Sequence, residues 1–163
     1  MGGMDIVMTI RINKNIGEGS VINGFQGPFR FLSNFYRVQV EMDGFLYPSV
    51  EHAYQAAKTL DVGSRTTIQL ATKPGDAKRL GRRVKLRDDW ESIKLDVMLG
   101  LLRDKFTYPV LRSWLLDTGE SVLIEDNNWG DRFWGSVDGE GDNHLGRLLM
   151  RVREEIRTEQ ASQ

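Results

Sequence analysis

The sequence predicts an α+β fold: a single, mostly helical domain with a small antiparallel sheet. Three observations carry this. Apolar residues recur at helical spacing, most clearly Ile93, Val97 and Leu101 with Met98 and Leu102. Strand-like segments are few and short, and two of them flank an Asp43-Gly44 pair suited to a tight hairpin turn. The length, 163 residues, is that of one domain and suffices for a real core.

Residues 1–20 read as a poorly structured segment. Asn13 to Ser20 is polar and contains glycine, and Met4 and Met8 are alternative starts. Val21 to Phe25 is strand-like. Val38 to Met42 alternates apolar and polar residues with a period of two and leads through Asp43-Gly44 into Phe45 to Tyr47. Pro48 stops that strand, and Ser49 is placed to cap a helix running to about Leu60. Short helices are predicted near Ser64 to Ala71 and Asp76 to Arg83, punctuated by Pro74-Gly75. Asp88 with Glu91 resembles a capping box for a longer helix to about Lys105. A helix from Pro109 to Asp117 stops at Gly119, and Val122 to Ile124 reads as a short buried strand. Trp129 to Asp142 is a loop rich in glycine and aspartate. A last amphipathic helix carries Leu145, Leu148, Leu149, Val152 and Ile156, so the domain spans 21–157 and a polar tail 158–163.

Composition removes whole classes of chemistry. There is no cysteine, so thiol nucleophiles, thiolate metal sites and disulfides are excluded. The 2 histidines, His52 and His144, argue against a zinc site, which takes three or four Cys, His or carboxylate ligands. No metal and no cofactor is expected. Lys and Arg number 22 against 23 Asp and Glu, a net charge of −1, so no global field draws the chain to nucleic acid or membrane. No apolar run approaches the roughly 20 residues that span a bilayer. The N-terminus lacks a basic region and carries Asp5, so the cytoplasm is the expected compartment. No dinucleotide fingerprint, P-loop or nucleophile elbow occurs in its required context.

Four clusters hold candidate chemistry. After Pro48, Glu51, Tyr54, Gln55 and Lys58 fall at i, i+3, i+4 and i+7, one face of a helix, with Ala53, Ala56 and Ala57 behind them. That face is either a reactive one or a solvated one with a chance tyrosine. His52 alone reads as a partly buried structural residue. Gly27 to Tyr36 is dense in aromatics around Arg30, Ser33 and Asn34, side chains that suit phosphate and ribose; a hydrophobic plug is the other reading. Asp126 to Asn143 sets Trp129, Phe133 and Trp134 among acids, either as stacking faces for a flat heterocycle or as anchors for the loop. The fourth is basic: Lys73, Lys78, Arg79, Arg82, Arg83, Lys85 and Arg87, opposed only by Asp76, either a local anion site or a solvated helix. A carboxylate, an amine, aromatic platforms and phosphate binders suit cleavage of a nucleotide-like glycosidic bond, and suit a non-catalytic nucleotide-binding module nearly as well.

At these residues the chain resembles the NADAR superfamily. The matching text is Phe31-Leu32-Ser33-Asn34-Phe35, then Tyr47-Pro48-Ser49-Val50-Glu51-His52-Ala53-Tyr54-Gln55-Ala56-Ala57-Lys58, then Ala77-Lys78-Arg79-Leu80-Gly81-Arg82 and Trp90-Glu91-Ser92-Ile93-Lys94. Asp131, Trp134-Gly135 and Asn143-His144-Leu145-Gly146-Arg147-Leu148-Leu149-Met150 complete it, in family order. The resemblance implies an α+β fold and hydrolysis of N-glycosidic bonds joining ribose C1 to an exocyclic base amine. Two substrates are implied: ADP-ribose on guanine, expected first, and the phosphoribosylamino-pyrimidine intermediates of riboflavin synthesis. Lysine at the position of Lys78 goes with ADP-ribose-type members, alanine with riboflavin-type ones. Glu51 matches the essential glutamate, for proton transfer. Lys58, or second Lys78, would form a Schiff base, provided burial and neighbouring cations lower its pKa. Arg30, Phe31, Ser33, Asn34, Phe35, Tyr54, Gln55, Arg82, Trp90, Asp131, Trp134, Gly135 and Asn143 are the expected substrate contacts. The expected partner is an ADP-ribose- or ribose-phosphate-containing nucleotide, with ADP-ribosylated DNA or RNA touched only locally, and no membrane.

Overall fold

The computed structural model describes residues 19–163. Expectations for residues 1–18, including both alternative starts, lie outside the described residues. In order the elements are β1 (Val21–Asn23), a 3-10 turn (Gly27–Leu32), β2 (Val40–Met42), β3 (Phe45–Tyr47), α1 (Val50–Ala57), α2 (Val62–Gln69), α3 (Pro74–Gly81), α4 (Trp90–Lys105), α5 (Pro109–Asp117), β4 (Val122–Ile124) and α6 (His144–Ala161). This is the mostly helical α+β domain the sequence predicts.

The antiparallel pair forms in the expected register, Val40 opposite Tyr47 and Met42 opposite Phe45. Its turn residues Asp43 and Gly44 sit at φ 52° and 80°, the left-handed values a tight two-residue hairpin needs. A second pair, which periodicity did not predict, joins β1 and β4 in parallel, Val21 beside Val122. Such long-range pairing leaves no local signature. The hydroxyls of Ser20 and Ser121 meet at 2.6 Å beside it.

Helix α1 is the centre of the molecule, and none of its residues is exposed. Ala53, Ala56 and Ala57 let α2, α3 and α4 approach closely. The Ser49 hydroxyl caps the helix by accepting the His52 N–H at 3.2 Å and donates to His52 Nδ1 at 2.7 Å. His52 Nε2 donates to the Ala71 carbonyl at 2.9 Å, and burial lowers its pKa, so the ring is neutral and structural, as expected. The helix stops at Ala57, short of Leu60, because Asp61 caps α2 through the Ser64 N–H at 2.8 Å.

Two further expectations need correction. The Asp88–Glu91 capping box does not form. Asp89 is the residue at the start of α4, its carboxylate is held by Arg87 at 2.6 Å, and Glu91 pairs with Lys94 at 2.6 Å. Helix α6 runs on to Ala161, through most of the stretch expected to be a tail, its last turns tied by Arg112–Glu159 across to α5. Helix α4 ends on Lys105, which is 0% exposed and donates to the Ser33 carbonyl at 2.9 Å. No described helix is long and apolar enough to cross a membrane.

Candidate active site

The Glu51, Tyr54, Gln55 and Lys58 face of α1 forms one wall of a cavity of about 360 Å³. That volume falls within the range of roughly 300–1,000 Å³ typical of small-molecule sites. Ser33, Asn34 and Phe35, following the 3-10 turn, form a second wall, with Arg30 at the turn itself. Lys78 enters from α3 and Met98 from α4, while Glu125, Trp129, Asp131 and Trp134 close the remaining side.

Glu51 is 7% exposed, and Gln55 Nε2 donates to its Oε1 at 2.8 Å. Burial raises the Glu51 pKa, against the Gln55 hydrogen bond and the positive charges of Lys78 and Lys58. Lys58 moves the opposite way: burial lowers it, Lys78, Arg82 and Lys94 add to the fall, and Glu51 opposes it. The cavity thus shifts a carboxyl upward and an amine downward in pKa on one helix face. Lys58 Nζ lies 5.6 Å from the centre of the Tyr54 ring, and the Tyr54 hydroxyl accepts Trp134 Nε1–H at 3.2 Å. Burial raises the Tyr54 pKa and keeps it a phenol. Asn34 Oδ1 and Gln55 Oε1 are buried without a hydrogen-bond partner among the described residues. An orphaned acceptor costs about 1–3 kcal/mol, and Gln55 Oε1 lies against the backbone of α3 at Gly81.

The loop wall is built by its own hydrogen bonds. Asp131 Oδ1 accepts the Phe133 and Trp134 N–H groups at 3.1 and 2.9 Å, which turns Trp134 inward. Asn127 bonds the Asp131 backbone in both directions, at 2.8 and 3.0 Å. Gly135 is required by space: a Cβ there would lie 2.1 Å from the Glu125 carbonyl oxygen. Burial, with Asp131 and Glu51 nearby, raises Glu125 to about 8, while Lys78 draws it down.

Glu51, Lys58 and Lys78 therefore meet in one cavity, as do Arg30, Ser33, Asn34, Phe35, Tyr54, Gln55, Asp131 and Trp134. Five expected contacts do not line it. Phe31 is buried against Trp114, edge to face at 5.4 Å, as a core plug. Trp90 packs behind Tyr54 at 5.1 Å and supports that ring from the core. Arg82 is exposed at the end of α3. Gly135 and Asn143 act on backbone: Asn143 accepts the Glu125 N–H at 3.0 Å and donates to the Leu123 carbonyl at 2.9 Å. Of the basic run, Lys78 alone lines the cavity, while Arg79 pairs with Asp76 and Arg87 with Asp89. Sequence reasoning missed Phe25, Gln26, Met98 and Glu125 as lining residues. For Glu125 the one available signal is an acid directly after a short buried strand.

Comparison with known proteins gives a consistent set of likenesses. The NADAR domain family model matches residues 23–157. The chain is 42% identical over 152 residues to the N-glycosidase YbiA of Escherichia coli, covering 90% of this chain and 94% of that protein. It is 44% identical over 147 residues to the chloroplastic riboflavin biosynthesis protein PYRR of Zea mays, covering 78% of this chain but only 23% of the maize protein. The solution structure of E. coli YbiA superposes with a TM-score of 0.82 at 36% identity, covering 94% of both chains.

Proposed function

This chain belongs to the NADAR family, and from that premise we propose that it is an N-glycosidase, hydrolysing the bond between ribose C1 and the exocyclic amine of a flat heterocycle. The observation that carries the reading is the Glu51–Lys58 pair, one group pushed toward its acid form and the other toward its free amine in a single cavity. A ribosylamine is in equilibrium with its open-chain imine. The Lys58 amine adds to C1 of that imine, the base amine leaves, and C1 stays bound to lysine as a Schiff base that water hydrolyses. Glu51 supplies and recovers the proton at the ribose oxygen as the ring opens and recloses. Trp129 and Trp134 offer faces for the base, and Ser33, Asn34 and Gln55 offer polar partners for sugar hydroxyls. Lys78 raises the local positive charge and is the second candidate for the amine.

For the substrate we take the phosphoribosylamino-pyrimidine class first. The name of the maize relative supports it, and so does the small number of cations left in the cavity beside the Lys58 amine: Arg30 and Lys78, suited to one phosphate better than to a diphosphate. The second reading, ADP-ribose removed from guanine, is supported by Lys78, the residue type that goes with that branch of the family. DNA or RNA would then be touched only around the modified nucleotide. Both are tested by incubating the protein with each glycosylamine and following the released base chromatographically. Release from one substrate alone selects that reading. Tight binding of both without release would replace the enzyme with a nucleotide-binding module.

A further inference from the structure

We propose that Glu125 is the acid that protonates the exocyclic amine as it leaves, so that the site divides proton transfer between two carboxyls. This rests on the glycosidase reading above and adds a residue to it. Glu125 lines the same cavity as Glu51 and Lys58. Its backbone is fixed from both sides: its N–H donates to Asn143 Oδ1 at 3.0 Å, and its carbonyl accepts the Ser136 N–H at 2.8 Å. Gly135 packs against that carbonyl with no room for a side chain. The position is therefore built, not incidental.

The side chain itself hydrogen-bonds no group among the described residues. In this it differs from the other two carboxyls in the cavity. Glu51 is tied to Gln55 at 2.8 Å, and Asp131 accepts two backbone N–H groups. Of the three, Glu125 alone has both carboxyl oxygens without a hydrogen bond among the described residues. It belongs to the segment that carries Trp129 and Trp134 into the cavity, the faces proposed above for the base, while α1 and its end carry Glu51 and Lys58.

The titratable groups that line the cavity with it are Glu51 and Tyr54 from α1 and Lys58 at its end, Lys78 from α3, Asp131 from its own loop, and Arg30 from the 3-10 turn; of these Glu51, Asp131 and Lys78 act on its charge. Burial and the two carboxylates keep its proton on to about pH 8, against Lys78. In the step, the C1–N bond breaks and its electron pair stays on nitrogen. The Glu125 proton goes to that nitrogen, and the base departs as a neutral amine. C1 remains on Lys58 as a protonated imine. When water adds and the sugar aldehyde is released, one proton from water returns to Glu125 and Lys58 is restored as a free amine.

The test compares wild type and Glu125→Gln on two probes: the ribosylamino-pyrimidine, and a ribosyl-4-nitroaniline, whose nitro group delocalises the departing electron pair so that loss of the amine leans less on an acid. The rate is measured from about pH 5 to 10. Wild type should lose rate on the alkaline side near pH 8 with the pyrimidine, and lose it less steeply with the nitroaniline. Glu125→Gln should fall by about 100-fold or more on the pyrimidine, and its loss on the nitroaniline should be smaller by about tenfold. Equal losses on both probes, or an unchanged rate on the pyrimidine, would overturn the assignment. If the variant does not fold, the two wild-type pH profiles decide: the same alkaline limb with both probes overturns it. A wild type that releases no base from either probe refutes the glycosidase reading and takes this inference with it. Turnover that ignores Glu125 refutes the inference alone.

Discussion

Lys105→Met should make the protein more stable in mild acid and less stable in strong base. Lys105 is 0% exposed, and its only hydrogen bond among the described residues goes to the Ser33 carbonyl at 2.9 Å. Burial lowers its pKa from the ordinary 10.5 to about 7. The unfolded chain therefore binds a proton that the folded chain lacks between those values, so this lysine's contribution to stability rises with pH across that window. Each pH unit of separation is worth about 1.4 kcal/mol, and the charged lysine costs the fold about 5 kcal/mol below pH 7. Methionine removes that cost but orphans the Ser33 carbonyl, a loss of about 1–3 kcal/mol. The variant should then be about 2–4 kcal/mol more stable at pH 6 and about 1–3 kcal/mol less stable above pH 10.5. At about 2–4 °C per kcal/mol, Tm at pH 6 should rise by roughly 4–16 °C. Thermal melts at both pH values read the sign directly. A variant less stable at both would refute the reasoning, since the hydrogen bond would then outweigh the buried charge.

Other outcomes follow from the same cavity. Lys58→Met should abolish borohydride-dependent trapping of the ribose on the protein, and in wild type the rate should rise with pH through a lysine limb lying below 10.5. Trapping that persists in the variant would move the amine to Lys78. Gly135→Ala should cost about 1–3 kcal/mol, because a Cβ 2.1 Å from the Glu125 carbonyl forces backbone apart; equal urea midpoints would contradict this. It should also impair turnover, since Glu125 would move with its carbonyl.

The parts of the fold written in local pattern were legible. Helical spacing brought Glu51, Tyr54, Gln55 and Lys58 to one face, and the structure lines one cavity with all of them. The Asp43-Gly44 turn fixed the hairpin register because only residues tolerant of positive φ fit there. What failed depended on contacts across the chain. The run from Lys73 to Arg87 is dense in charge, but density does not tell which side chain a short helix turns inward, and only Lys78 does so. Phe31 and Trp90 look like ligand aromatics in sequence and serve as core. Glu125 went unseen because its position comes from the β1–β4 pairing and from Asn143 and Gly135 folding back on it.

Glu51 and Lys58 are proposed as the working pair of an N-glycosidase. Base release from a ribosylamino-pyrimidine, measured for wild type and Glu51→Gln, tests it most directly. Wild type should turn the compound over, and Glu51→Gln, folded and still able to bind, should be slower by about 10²–10⁴-fold. Equal rates in the two proteins would contradict the claim.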